Sequence, residues 1–200
     1  MGFMTILHGD DRFCNNVFVQ KWPAEDVIIP HDSDDGEDRE NRRAGTFVFD
    51  EYPTWEEWIA QFDFSKPADM HQLMPVHDGR LPVWCEGNVY LNGAKACRNE
   101  KNGLTCDGEA AVELTEKDGE WCLETNIYDL IRDFRGRMIH SDILGKAFEP
   151  EERFENPDGS PIRFDRDYFG NHRGNRVIPG PFAEAAGRQT VCVQEEGFLR

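Results

Sequence analysis

The 200-residue sequence has few basic residues, and this shortage argues against the common polyanion-binding functions. It contains 22 Lys and Arg residues against 39 Asp and Glu residues, which gives a formal net charge of -17. Nucleic-acid binding depends on neutralising phosphates with Lys and Arg, and adsorption to anionic lipid needs the same attraction. We therefore expect neither nucleic acid nor a membrane surface as a partner. A neutral or cationic small-molecule ligand, or a basic protein partner, is compatible with this charge.

Long hydrophobic runs are also missing. No segment approaches the roughly 20 apolar residues of a membrane-spanning helix. The first residues, MGFMTILHGDD, lack the basic region of a secretory signal peptide, and the sequence contains no Asn-x-Ser/Thr sequon. These observations predict a cytoplasmic protein. The apolar fraction of 38% is low, but 14 Phe and 5 Trp residues supply large side chains for a core.

Complete catalytic and metal-binding motifs are absent as well. The six cysteines form no C-x-x-C pair and match no zinc-finger spacing. Reduced structural thiols are therefore preferred over disulfides or a metal cluster, and Cys97 with Cys106 is the local candidate for a disulfide. The sequence contains no G-x-S-x-G, H-E-x-x-H or G-x-G-x-x-G motif. No internal repeat and no linker is evident, so we expect a single domain over residues 1–200.

Alternating polar and apolar residues predict strands in the central stretch, residues 87–130. Residues 111–116 and 120–125 alternate on either side of a Lys-Asp-Gly turn, which predicts an antiparallel hairpin. The apolar side chains expected on its core face are Val112, Leu114, Trp121 and Leu123. Glu113 and Glu124 would then face water. Asn92-Gly93 predicts a further two-residue hairpin turn.

Short strands and turn signals recur along the rest of the chain. Strands are predicted over residues 16–21, 27–30, 46–50, 162–165, 173–179 and 190–194. Thr54 and Glu57 form a capping box that begins a helix reaching about Phe64, and short helices are predicted over 127–134 and 181–186. This pattern predicts a mainly β fold: an antiparallel β-sandwich or jelly-roll-like barrel with two or three short helices.

An acidic segment interrupts the strands at residues 32–43. It has no apolar anchor, so we expect a mobile loop. Its spacing departs from an EF-hand, because the glycine comes one position early and an arginine stands where the bidentate Glu belongs. A looser site for a divalent cation such as calcium could use the carboxylates of Asp32, Asp34 and Glu37. The alternative is a solvated acidic loop without a ligand.

Histidines and carboxylates supply the candidate catalytic groups. His140-Ser-Asp142 has the His-x-Asp spacing found in a non-haem iron site, which also needs a distant histidine. His172 or His77 could supply that ligand. We take His140, Asp142 and His172 as the candidate catalytic residues, grouped around one concave site. Surface residues without a ligand are the alternative.

Aromatic side chains supply the candidate ligand-binding surface. Trp84, Tyr90 and Trp121 could stack on the C–H faces of a sugar, although the strand alternation also directs Trp121 into the core. The first functional hypothesis is a ligand-binding or carbohydrate-active β-sandwich protein acting on a neutral or cationic small molecule. The second is an acidic interaction protein without enzymatic activity, which docks on a basic protein or mimics the charge of nucleic acid.

Overall fold

Short strands dominate the computed structural model, which describes residues 9–21, 44–67, 79–118, 120–148, 150–184 and 189–193. The strands form small sheets of two or three strands, some parallel and some antiparallel. The predicted mainly β class with a few short helices is confirmed. The finer prediction of an antiparallel sandwich or jelly roll is not, because the sheets are small and mixed in direction.

Six strands pair in parallel and form a stack of three rungs, each made of two strands joined by a two-residue corner. The strands are β1 (Arg12–Cys14) and β2 (Val17–Val19), then β3 (Trp84–Glu86) and β4 (Val89–Leu91), then β5 (Glu100–Lys101) and β6 (Leu104–Cys106). The first strands of the rungs form the parallel sheet β1-β3-β5, and the second strands form the parallel sheet β2-β4-β6. Each rung therefore lies on the one before it, as in a solenoid.

The corners explain why the chain turns at the same place in each rung. Asn15, Gly87 and Asn102 have φ angles of 55°, 69° and 53°, a left-handed region that Gly and Asn adopt most readily. The side-chain oxygen of the buried Asn88 accepts a hydrogen bond from the backbone N of Asn16 at 2.9 Å. This bond ties the second corner to the first.

The stack corresponds to an internal repeat in the sequence. Its three copies read CNNVFV at 14–19, EGNVYL at 86–91 and KNGLTC at 101–106. The three rungs therefore repeat one strand–corner–strand unit that is not evident from the sequence alone. Very unequal intervals separate the copies, and these intervals hide the periodicity that normally reveals a solenoid.

The remaining elements are the helices α1 (Trp55–Ile59), α2 (Ile127–Leu130) and α3 (Ser141–Leu144) and the strands β7 (Val112–Lys117), β8 (Glu120–Thr125), β9 (Gly136–Arg137), β10 (Arg176–Val177) and β11 (Gln189–Val193). Strands β7, β8 and β11 form an antiparallel sheet in the order β11-β8-β7, and β9 pairs with β10. None of the helices in the described ranges is long and apolar enough to traverse a bilayer.

The larger hydrophobic cluster packs against the β2-β4-β6 sheet. It joins the buried Val89 and Leu91 to Ile127 and Tyr128 of α2 and to Phe182. A smaller cluster beside the first sheet contains Val83, Cys85 and Cys97, with Phe13, Phe49 and Tyr52 packed against it.

The predicted hairpin is confirmed, but the predicted burial of its apolar face is wrong. Leu114 pairs with Leu123 and Glu113 with Glu124, so these two pairs lie on opposite faces, but Glu116 pairs with Trp121 and therefore lies on the apolar face. However, Val112, Leu114 and Trp121 are 47%, 59% and 44% exposed. Alternation determines which residues share a face, whereas burial depends on whether another layer covers that face.

Several local predictions need correction. The capping box at Thr54 is confirmed, with Oγ1 accepting from Glu57 N at 3.1 Å, but α1 ends at Ile59. The aromatic run 46–50 forms a 3₁₀ turn rather than a strand.

Asn92-Gly93 forms a turn but no hairpin, since β4 pairs only in parallel. Residues 162–165 form no strand, since only Arg163 makes a bridge, to His140, and residues 181–184 are not helical. The predicted elements at 27–30 and 32–43 lie outside the described residues.

Candidate functional site: a groove beside the first parallel sheet

A cavity of about 820 Å³ opens beside the sheet β1-β3-β5. Alternate residues of a strand point to the same face of a sheet, and register places Arg12 beside Trp84 and Glu86 beside Lys101. These side chains line the cavity together with Arg137. We call this cavity the lateral groove.

Aromatic side chains from other segments form a second wall of the lateral groove. Trp55 of α1 is 43% exposed and lies 6.4 Å from Phe148, centroid to centroid, with the rings 70° apart. Phe148 also lies 5.8 Å from the buried Trp58. The buried Trp58 therefore supports an aromatic wall whose outer ring, Trp55, stays accessible.

Asp10 and Arg12 hold this wall in place, and we call the pair the Asp10–Arg12 clamp. Asp10 Oδ1 pairs with Arg12 Nη1 at 2.6 Å, and Asp10 Oδ2 accepts from the backbone N of Phe148 at 2.8 Å. Arg12 donates from Nε to the carbonyl of Leu144 and from Nη2 to that of Lys146, both at 2.9 Å. The Arg12 side chain is only 10% exposed. The clamp thus binds the segment after α3 to the edge of the rung stack.

Trp84, a predicted ligand-binding residue, lies in the lateral groove next to the clamp. The guanidinium carbon of Arg12 lies 4.2 Å from the centre of the Trp84 ring and 4.7 Å from that of Phe154. A cation over an aromatic face is favourable, and more so when both are shielded from water. One face of Trp84 is therefore occupied by Arg12, which fixes the position of the indole.

The charges of the lateral groove balance. Its acidic lining residues are Asp10, Glu56, Glu86, Glu100 and Glu151, and its basic lining residues are Arg12, Arg98, Lys101, Arg137 and Lys146. Glu86 pairs with Arg137. A formally neutral groove in a chain of charge -17 favours a ligand without net charge.

Glu100 reaches from the groove into the polar interior of the rung stack. Its carboxylate accepts hydrogen bonds from Asn88 N at 3.0 Å, Asn88 Nδ2 at 2.8 Å and Tyr90 Oη at 2.7 Å. Tyr90 is 1% exposed and also bonds to Thr46 Oγ1 at 2.7 Å. The predicted stacking role of Tyr90 is therefore corrected: the ring is part of the core. Strand β4 is covered on both faces, so polar alternation does not identify an exposed side.

The thiols near the groove are structural. Burial raises the pKa of the Cys14 thiol to about 11, which keeps it protonated and a poor nucleophile near neutral pH. Cys85 donates a hydrogen bond to Cys97, and this bond lowers the pKa of Cys97. Cys97 is buried, with 5% of the residue exposed. Cys97 and Cys106 are both free thiols, and the candidate disulfide between them is absent.

The candidate catalytic residues do not line the lateral groove. His140 Nδ1 lies 3.6 Å from Asp142 Oδ2, and Asp142 also pairs with Arg153 at 2.6 Å. His172 is exposed in a different turn, where its Nδ1 is 2.8 Å from the carbonyl oxygen of Asp165. The local pair His140–Asp142 is therefore present, but the structure shows no contact between this pair and His172. The three residues stay candidates.

The proposed cation site lies outside the described residues, which do not include Asp32, Asp34 or Glu37. Among the residues that the structure does describe, no group of His, Cys, Asp and Glu side chains could hold a metal ion. Trp121, the third predicted stacking residue, is 44% exposed on the antiparallel sheet and does not line the lateral groove.

Sequence reasoning missed most of the groove, although a signal was available. Arg12 and Trp84 each stand three positions before a corner residue, Asn15 or Gly87. Aligning the three repeat copies on their corners would have placed these two residues side by side. The contribution of Trp55 and Phe148 has no comparable signal, because it depends on how the chain folds back onto the rungs.

Comparisons with known proteins provide evidence about the fold. No protein-family model matches the chain, and the search of curated proteins gives no match. The chain is similar to a solved structure described as "The complex structure of XylC with xylose", with a TM-score of 0.69, 24% sequence identity and 92% of this chain covered. The chain spans 26% of the length of that structure's chain. At this level of identity the likeness shows a shared mainly β fold.

Proposed function

We propose that this chain binds a neutral saccharide in the lateral groove. The observation that carries the proposal is the combination of an accessible indole, Trp55, with charged side chains whose formal charges cancel. Sugars offer apolar C–H faces that pack on aromatic rings and hydroxyl groups that bond to charged side chains. The structural similarity to XylC, which was solved with xylose, supports a saccharide as the ligand class.

The proposed activity is binding rather than hydrolysis. Glycoside hydrolysis needs one carboxylic acid that donates a proton and a second carboxylate at a set separation. In the lateral groove, Asp10 is held by Arg12, Glu86 by Arg137, and Glu100 by two side chains of the rung stack. These three carboxylates serve the architecture of the groove, so we assign none of them a hydrolytic step, and we assign none to the other two lining carboxylates, Glu56 and Glu151.

Two exposed tryptophans provide a matched test. Isothermal titration calorimetry would compare xylose, xylobiose and xylotriose with the native chain, Trp55→Ala and Trp121→Ala. Trp55 and Trp121 are 43% and 44% exposed, but only Trp55 lines the groove. We expect Trp55→Ala to weaken saccharide binding roughly tenfold, which corresponds to about 1.4 kcal/mol, and Trp121→Ala to leave it unchanged.

Circular dichroism would confirm that both variants fold. Equal affinities for the two variants would remove the lateral groove from the proposal, and no binding of any saccharide by the native chain would reject the function.

A further inference from the structure

We infer that the outer edge of β7 binds an extended basic segment of a protein partner, which joins the antiparallel sheet as an additional strand. This inference is independent of saccharide binding, because β7 does not line the lateral groove. It gives the acidic interaction hypothesis a defined surface. That surface consists of β7 and the neighbouring apolar cavity, and we call it the β7 edge.

Among the residues that the structure describes, strand β7 pairs with β8 alone. The sheet order β11-β8-β7 places it at the margin, and its six residues pair with β8 without a bulge. Residues 112–114 and Glu116 are exposed, and Thr115 is half-buried. Proteins usually protect an edge strand with a bulge, a proline or a covering element, because its unpaired backbone groups can template another strand. Strand β7 has neither a bulge nor a proline.

The backbone groups available on β7 follow from the hairpin geometry. Two residues separate Lys117 from Glu120 in the hairpin loop. Lys117 and Glu120 therefore form the closing pair of the ladder, which is a hydrogen-bonded pair in a two-residue hairpin. Hydrogen-bonded and non-hydrogen-bonded pairs alternate along an antiparallel ladder. The N–H and C=O groups of Val112, Leu114 and Glu116 therefore point away from β8, toward an incoming strand.

An apolar cavity adjoins these backbone groups. It has a volume of about 590 Å³, and Val112 and Leu114 contribute to its lining. These two side chains are 47% and 59% exposed. Val17 of β2 and Phe182, which follows β10 in the chain, also line the cavity. A strand that pairs with β7 would place every second side chain on this face, where apolar residues gain the most from leaving water.

The opposite face of the sheet favours basic side chains. Glu113 lies directly opposite Glu124 in the ladder, so two carboxylates share this face. A Lys or Arg on the incoming strand would lie next to the exposed Glu113 and pair with it. The chain's charge of -17 attracts a cationic segment and opposes pairing of β7 with a second copy of itself. The partner is therefore a strand that alternates apolar and basic residues.

A synthetic peptide tests this geometry directly. The probe is a capped, fluorescent heptapeptide, Lys-Val-Lys-Leu-Lys-Val-Lys, measured by fluorescence anisotropy at low salt. One control has the same composition in scrambled order, and another carries N-methyl groups on alternate backbone nitrogens. We expect binding of the alternating peptide, at least tenfold weaker binding of both controls, and a decline with added salt.

Protein variants locate the interaction. Leu114→Thr keeps a strand-forming residue but removes the apolar contact, and Glu113→Gln removes one carboxylate of the opposed pair. Each should weaken binding about tenfold, whereas Glu109→Gln, an exposed change outside β7, should not. Equal binding of the scrambled or N-methylated peptide would overturn the inference in favour of unspecific charge attraction. Absence of binding would overturn it too, as would a dimer in sedimentation that Leu114→Thr abolishes.

Discussion

The side-chain amide of Asn15 donates a hydrogen bond to the backbone carbonyl oxygen of Arg137 at 2.9 Å. This bond joins the first corner of the rung stack to β9 and so sets the position from which Arg137 reaches Glu86. The residue before it, Gly136, is buried against the same side chain. A Cβ atom at Gly136 would lie 1.9 Å from Asn15 Oδ1. A side chain at position 136 would therefore displace Asn15 and disturb its hydrogen bond to Arg137.

Gly136→Ala should destabilise the fold. The added methyl group displaces Asn15, and overpacking of this kind costs about 1–3 kcal/mol. The measurement is the free energy of unfolding in urea. Gly174→Ala is the matched control, because a Cβ there meets no atom within 4 Å, and surface changes alter the unfolding free energy by about 0.5 kcal/mol or less. Equal losses for the two variants would contradict the steric explanation.

Asn88→Ala should be among the most destabilising single substitutions in the chain. Asn88 is fully buried, and its side chain bonds to Asn16, Phe13 and Glu100. Removing the amide leaves these partners unsatisfied, so we expect a loss of about 3 kcal/mol in urea unfolding. The exposed Asn175 provides the control, and Asn175→Ala should change stability little. A small effect of Asn88→Ala would show that water replaces the amide.

The sequence predicts those parts of the fold that local interactions determine. The hairpin β7–β8 and the cap at Thr54 involve residues close together in the chain, and both were found. The rung stack was not predicted, because its bonds join residues such as Asn16 and Asn88, which are 72 positions apart. Strands of two or three residues are also too short to produce a clear alternation.

The same distinction explains the candidate site. His140 and Asp142 are near one another because they are neighbours in the sequence. The groove instead assembles Arg12, Trp84 and Arg137 from distant segments, and only the fold brings them together. Residue type alone makes both Trp84 and Tyr90 candidate stacking surfaces, but Trp84 lies in the groove and Tyr90 lies in the core.

Glu57 should make stability depend on pH in the acidic range. A hydrogen bond from Arg98, the main cause, and one from the backbone N of Thr54 lower the pKa of Glu57 from 4.5 to about 2. A lowered pKa in the folded state means that the ionised form stabilises the fold above about pH 4.5, and that this contribution is lost as the pH falls toward 2. The unfolding free energies of the native chain and Glu57→Gln should therefore differ at pH 6 and converge near pH 2.

The control for this experiment is Glu56→Gln, on the same exposed turn of α1. This variant removes one carboxylate from the same turn but leaves the ion pair between Glu57 and Arg98 in place. A constant difference for Glu57→Gln would show that Arg98 does not hold the carboxylate in solution.

Arg12→Lys tests whether the Asp10–Arg12 clamp fixes the wall of the lateral groove. The guanidinium pairs with the Asp10 carboxylate and donates to the carbonyl oxygens of Asp10, Leu144 and Lys146, using three different nitrogens. A lysine ammonium cannot reproduce that fork. We expect a loss of about 1–2 kcal/mol in unfolding free energy and faster amide hydrogen exchange at 144–148, measured by mass spectrometry. Arg80→Lys, at an exposed ion pair with Glu51, should change neither quantity. If exchange at 144–148 stays slow in Arg12→Lys, Asp10 alone holds this segment through the Phe148 amide.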